Sequence, residues 1–290
     1  MAIVTTCLTY VLLLAGGLVH STGASLACPD WPLCYGMFFP PMVGNIRFEH
    51  GHRLIAAAVG LFTAITAFLI WKKERASLRP LAILAVLMVL IQIVLGGLTV
   101  IFLLPDLVST AHLAVGTAFF SLLLILSIRS GPEEDNRTIE IGASARTAIL
   151  CAAALTYLQI VLGGLVRHTE SGLACLSVPD CGGEWMPPVA SRGGLHMIHR
   201  FGAVIVLAAV GWAYLTCRPY RQIQKWTRSA LALVSAQLVL GAFSVLTQLS
   251  LWSVMSHLGA AVALLACLVF LSVTTCARSD DQRMAVPVRT

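Results

Sequence analysis

Eight stretches of about twenty apolar residues run through this chain, near 3–22, 51–71, 80–102, 107–128, 146–167, 195–216, 229–249 and 252–275. About 20 apolar residues in a helix are enough to cross roughly 30 Å of hydrocarbon. The runs are continuous and rich in Leu and Ala instead of alternating, which favours helices over a barrel. Pro105, Pro132, Pro219 and the pair Pro187–Pro188 fall in the gaps, where helix breakers belong. Apolar residues make up 58% of the chain and charged residues 11%, against about 45–50% and about 25% in soluble domains. With a mean hydropathy of +0.87, no polar surface can enclose it. A soluble enzyme, a disordered chain and a secreted disulfide miniprotein are excluded. The sequence predicts an all-α polytopic membrane protein with eight transmembrane helices.

The formal charge of +6 does not signal nucleic acid, because the basic residues lie in short loops and not on one face. They set orientation instead. Lys72, Lys73, Arg75 and Arg79 share one loop, Arg129, Arg137 and Arg146 a second, and Arg218, Arg221, Lys225 and Arg228 a third. Arg278, Arg283 and Arg289 lie in the tail, while the opposite loops hold only Arg47, Arg167 and Arg192. The positive-inside bias places both termini in the cytoplasm. The first run lacks a charged leader and a convincing cleavage site, so it reads as a span and not a signal peptide. A bacterial cytoplasmic (inner) membrane is the expected address.

The chain repeats itself. GGLVHSTGASLAC (16–28) aligns with GGLVRHTESGLAC (163–175) at an offset of 147, which also carries Cys34 onto Cys181, Glu49 onto His196, His52 onto His199 and Arg53 onto Arg200. An offset of 145 carries Gln92 onto Gln237, LGG (95–97) onto LGA (240–242) and His112 onto His257. Shared membrane composition would match Leu and Ala, not Cys and His. The expectation is two tandem, parallel four-helix bundles, 1–130 and 147–290, joined by a polar cytoplasmic linker at 131–146.

All eight histidines avoid the cytoplasmic loops. His52 and His199 fall in the first turns of spans two and six, His112 and His257 in the outer parts of spans four and eight. Ionisable groups inside a span are costly and face the bundle interior. Two imidazoles from facing helices suit axial ligation of one haem iron, so each half supplies one pair, near the outer face. Arg53 and Arg200 follow their histidines, placed either to hold a haem propionate or to snorkel. Gly16–Gly17, Gly96–Gly97 and Gly163–Gly164 let helices or a flat macrocycle approach closely. The halves differ at Glu49-His50-Gly51-His52-Arg53 against His196-Met197-Ile198-His199-Arg200. Glu49 lies one turn before His52, on its face of the helix, where a carboxylate either serves chemistry at one site only or caps the helix start and pairs with Arg53. His20, His50, His168 and His196 are secondary.

Cys28/Cys34 and Cys175/Cys181 form two C-x5-C pairs in exterior loops, where disulfides are expected, structural or redox-active. Zinc is disfavoured by the spacing, and the missing C-x-x-C-H excludes covalent haem. Cys7, Cys151, Cys217, Cys267 and Cys276 read as small apolar residues.

GGLVHSTGASLACPDWPLC, EHGHR, STAHLAVG, GGLVRHTESGLAC, HMIHR and SHLGAA occur in an order that resembles the haem A synthase (Cox15/CtaA) family over essentially the whole chain. The resemblance implies an oxidoreductase that turns the C8 methyl of haem O into the formyl of haem A for cytochrome oxidase. It further implies haem O as substrate on His52 and His112, with Glu49 catalytic, and haem b as cofactor on His199 and His257. Haem O synthase and a membrane or external electron acceptor are candidate partners, and a homo-oligomer is an open option. Where the family often has Arg after GGLV, His20 stands here, while Arg167 keeps that pattern. Two rivals remain: a di-haem b-type electron-transfer protein of the quinol-oxidising or cytochrome b561 kind, and a haem transporter or chaperone. The first would ordinarily place its haems near opposite faces, and the second gives Glu49 no purpose.

Overall fold

A computed structural model describes residues 1–72, 75–131 and 138–277. Lys73, Arg278, Arg283, Arg289 and residues 132–137 of the expected linker, with Pro132 and Arg137, lie outside the described residues. Among the described residues, eight helices are long and apolar enough to cross a membrane: α1 (Ala2–Ser21), α2 (Ile46–Lys72), α3 (Arg79–Ile101), α4 (Asp106–Arg129), α5 (Ala143–His168), α6 (Arg192–Cys217), α7 (Gln224–Leu246) and α8 (Leu251–Thr274). The chain is a multi-pass membrane protein. Its outward side chains are apolar, as at Leu61, Phe68, Leu215 and Val239, the arrangement that lipid requires and water would penalise.

The largest departures from the hydropathy reading are the starts of two helices. α2 and α7 each begin five residues earlier than expected, because Arg47, Glu49 and His50, or Lys225 and Arg228, lower the local hydropathy without breaking the helix. His52 therefore sits near the end of the second turn of α2, and α6, which begins three residues earlier than expected, places His199 in its third turn. Ser191 starts α6 by accepting a hydrogen bond from the Gly194 N–H at 3.0 Å, which satisfies one orphan donor of the first turn. The other departure is a small parallel pair of strands, β1 (Ile139–Ile141) and β2 (Thr275–Ala277). The Ile-x-Ile alternation of β1 is too short to stand out in a polar linker. Arg146 ties the pair down through the carbonyl of Ser272 and the Thr275 hydroxyl.

The first four helices close a ring in which α1 packs on α2 and α4, and α3 on the same two; α5 to α8 repeat it. Each ring is close-packed at the end away from the four histidines. On α4, Phe119, Leu122, Leu123 and Leu126 form a buried stripe with helical spacing, and Leu264, Cys267, Leu268 and Leu271 repeat it on α8. Each stripe packs with Val59 and Ala85 in one ring and Val206 and Ala230 in the other.

Between the rings, the same contacts occur twice in reciprocal directions. The Tyr10 hydroxyl donates to the Gly259 carbonyl at 3.1 Å, and Tyr157 to Ala114 at 3.2 Å. A Cβ on Gly17 would stand 2.5 Å from Leu258, and one on Gly164 2.4 Å from Leu113. Glycine alone permits so close an approach of α1 to α8 and of α5 to α4.

Candidate functional site

The histidine ends of the helices are positioned by two kinds of connection. α3–α4 and α7–α8 turn within four residues. Leu103 and Leu104, like Gln248 and Leu249, adopt left-handed conformations with φ between 50° and 63°. Each turn is closed by a 2.7 Å backbone hydrogen bond, Leu104 N–H to Thr99 O and Leu249 N–H to Ser244 O. Left-handed leucine costs about 1–3 kcal/mol, and an unfavourable pair recurs at the same place in both halves. These turns fix His112 and His257 relative to Gly96 and Gly241.

Each of the four histidines lies against a glycine of the preceding helix. A Cβ added to Gly16, Gly96, Gly163 or Gly241 would meet the Cε1 of His52, His112, His199 or His257 at 3.2, 3.3, 3.0 and 3.3 Å. The Gly-Gly pairs thus divide their work: Gly16 and Gly163 seat a histidine of their own ring, Gly17 and Gly164 a leucine of the other. A Cβ on Gly97 would instead meet the indole of Trp31 at 3.0 Å. His52 and His112 lie within electrostatic reach of one another, as do His199 and His257. Gln92 and Gln237 donate to the carbonyls of His112 and His257 at 3.0 and 2.8 Å. Gln159 reaches both the carbonyl and the Nδ1 of His199. The repeat does not reveal Gln159, because its matching position is Leu12, although a lone Gln in the run LTYLQIVLGG is a usable signal.

The Nδ1 atoms of His52, His112 and His257 are buried and have no hydrogen-bond partner among the described residues. Among the described residues, no carboxylate pairs with any of the four rings. Imidazoles in facing pairs, without acids and with glycine beside each ring, are a donor set that fits axial ligation of haem iron.

Glu49 is buried, and both of its oxygens are engaged. Oε2 accepts from the Cys28 N–H at 2.8 Å and Oε1 from Arg53 Nη2 at 2.5 Å. Arg53 also donates to the carbonyls of Asp30 (2.8 Å), Leu33 and Cys28 (3.4 Å). Arg200 repeats this grip on Ser177 (2.7 Å), Asp180 (2.6 Å) and Cys175 (2.8 Å). The two guanidiniums therefore clamp the exterior loops in one register. The clamped loops contain the disulfides Cys28–Cys34 and Cys175–Cys181. Asp30, in the first loop, accepts from the N–H groups of Tyr35 and Gly36 at 2.6 and 2.8 Å. The Gly36 hydrogen bond leads the effects that hold its carboxyl below the usual range. His196, at the position of Glu49, is buried with its Nδ1 unpartnered.

His20 and His168 meet between the rings, with centroids 5.1 Å apart and planes at 88°, and Thr110 lies 3.1 Å from the His168 Nδ1. Beside them is a cavity of about 460 Å³ that also touches Asp106, Arg167 and Glu170.

Fold and site together define a class: an eight-span membrane protein with intramembrane imidazoles in two matched pairs. The chain belongs to the COX15-CtaA family, described as cytochrome oxidase assembly protein, whose profile matches residues 1–47 and 45–269. Curated relatives named heme A synthase include those of Bacillus pumilus, 30% identical over 89% of this chain and 88% of the relative, and Symbiobacterium thermophilum, 32% identical over 87% of each. That of Listeria monocytogenes is 27% identical over 97% of this chain and 95% of the relative.

Proposed function

We propose that this chain is a haem A synthase, an oxidoreductase that converts the C8 methyl of haem O to the formyl of haem A for cytochrome oxidase assembly. Haem O is held by His52 and His112 in the unit 1–130, and a haem b cofactor by His199 and His257 in the unit 147–290. Both termini are cytoplasmic and both haem sites lie towards the outer face. The observation that carries this reading is the fourfold seating of imidazole on glycine, in two pairs, with an acid at only one of the two matching positions. Relatives named for the activity, spanning nearly the whole chain, support it.

Two successive two-electron oxidations of one carbon, each adding one oxygen at the oxidation level of water and passing two electrons to an electron acceptor outside the chain and two protons to solvent, give a geminal diol, which loses water to leave the aldehyde. Positive character at a carbon attached to the macrocycle is stabilised by the Glu49 carboxylate, whose field is strong in a site shielded from water. Arg53 and the disulfide loop hold that carboxylate in place and cover the site. Haem b, when bound, supplies a one-electron relay. His199 and His257 fix its iron, and Gln159 sets the plane and basicity of one of those rings.

The test is co-expression with a haem O synthase, followed by extraction and chromatography of the haems. Haem A is expected with this chain and absent without it. Glu49→Gln, which keeps an acceptor for Cys28 N–H but removes the charge, is expected to retain the Soret band while haem A falls by at least about 100-fold. Haem B and haem O alone from the unaltered protein would sink the enzyme in favour of a carrier or electron-transfer protein. A normal yield from Glu49→Gln would remove that residue's role.

A further inference from the structure

The first disulfide has a neighbour that the second lacks. His50 is 4% exposed, and among the described residues neither of its ring nitrogens has a hydrogen-bond partner. One ligating atom from each of His50, Cys28 and Cys34 lies within 4.8 Å of the other two, and both cysteines are fully buried. In the second half the position of His50 is taken by Met197. An imidazole with both nitrogens buried and unpaired has given up its hydrogen bonds to water without replacement. Its placement against the two cysteines makes a donor set of two sulfurs and one nitrogen.

We propose that Cys28, Cys34 and His50 form a metal site when the disulfide is reduced, a three-coordinate site for a thiophilic cation, Cu(I) by preference. Soft thiolates select Cu(I) and zinc. A structural zinc takes four protein ligands, and this group offers three. Metal–ligand bonds of about 2.0–2.3 Å put such donors within the separations found here after small side-chain adjustments. The disulfide and the metal exclude one another, so the loop has two states.

The step between them balances with an external dithiol as reductant. The dithiol's sulfurs join to each other, the Cys28–Cys34 bond breaks, and two electrons and two protons pass to the loop. Cu(I) then displaces the two thiol protons to solvent and takes one neutral nitrogen of His50. The loop keeps its shape without the covalent bond. Arg53 still grips the carbonyls of Cys28, Asp30 and Leu33, and Cys34 and Met37 exchange two backbone hydrogen bonds of 3.1 Å.

The experiment uses the full chain carrying Cys175→Ser and Cys181→Ser, so that only the first loop can respond. It is reduced with a dithiol without oxygen, offered Cu(I) against bathocuproine disulfonate, desalted and counted by mass spectrometry of the metal. One copper per chain is expected after reduction and none before it. His50→Leu in that background is expected to weaken retention at least tenfold. If the variants fail to fold, copper X-ray absorption on the unaltered, reduced chain still decides, through at least one site with two sulfurs and one nitrogen. The proposal is overturned by negligible uptake after reduction, by equal retention in a folded His50→Leu chain, or by an all-sulfur copper environment. Haem content does not enter these readouts, so failure here leaves the haem A synthase reading standing, and the converse also holds.

Discussion

Gln159 on α5 places its Nε2 2.9 Å from the Nδ1 of His199 and 2.7 Å from that residue's carbonyl oxygen, and the matching position in the first half is Leu12. One half therefore restrains and polarises an imidazole whose counterpart in the other, His52, has an Nδ1 without a hydrogen-bond partner among the described residues. A ligating histidine is oriented and made more basic by the acceptor on its second nitrogen. In this structure Gln159 turns its Nε2 to both His199 atoms; ligation of iron through the His199 Nε2 puts the proton on Nδ1, and the carboxamide then turns its oxygen to that proton and gives up its bond to the carbonyl. Gln159→Leu removes one hydrogen bond of about 0.5–1.5 kcal/mol. The second-half haem should then become easier to reduce by about 20–60 mV, the same energy for one electron. Potentiometry on the purified protein checks it; an unchanged potential would deny Gln159 that influence.

The two glycines of each pair should fail in different ways. Gly163→Ala puts a methyl 3.0 Å from the His199 ring, so half of the bound haem should be lost with the fold preserved. Gly164→Ala meets Leu113 at 2.4 Å, and overpacking of that kind costs about 1–3 kcal/mol. It should lower the melting temperature in detergent while haem stoichiometry stays at the level of the unaltered protein. The same loss from both variants would contradict this division.

Arg53 holds three loop carbonyls and Arg200 four, each with a planar fork of donors that lysine cannot reproduce. Arg53→Lys should expose the loop around Cys28 to limited proteolysis and leave the loop around Cys175 protected; Arg200→Lys should do the reverse. Equal protection in both variants would show that the disulfides alone suffice.

Asp30 makes the first loop sensitive to acid. Its carboxyl is held below its ordinary value by the N–H groups of Gly36 and Tyr35 and by Arg53. A depressed folded value means stabilisation that is full above the unfolded value, near 3.8, and is lost as pH falls through the folded one. Exchange at the Tyr35 and Gly36 amides should accelerate below about pH 4, relative to its intrinsic rate. Asp30→Asn should remove that dependence, and a loop equally protected at all pH values would refute it.

Much of this arrangement is legible in the sequence because membrane helices and duplicated motifs announce themselves. The eight runs, the order of the Cys and His pairs and the offsets of 147 and 145 residues require no structure. What stays hidden depends on contacts between elements. The positions of Arg53 and Arg200 in the sequence allow a propionate or the interface, and only the fold reveals their grip on loop carbonyls. The doubled glycines look like uniform small-residue packing, yet one of each faces a histidine and its neighbour faces another helix or a tryptophan. His50 reads as an interfacial residue of secondary interest; its burial against Cys28 and Cys34 depends on a loop whose path no periodicity encodes.

The most direct measurement is haem per chain in paired variants, by pyridine haemochrome on protein purified after co-expression with a haem O synthase. Replacing His199 and His257 by alanine should abolish the second-half haem, and replacing His52 and His112 should leave that haem in place while haem A disappears. Full haem content in both double variants, or haem A still formed without His52 and His112, would contradict ligation by these pairs.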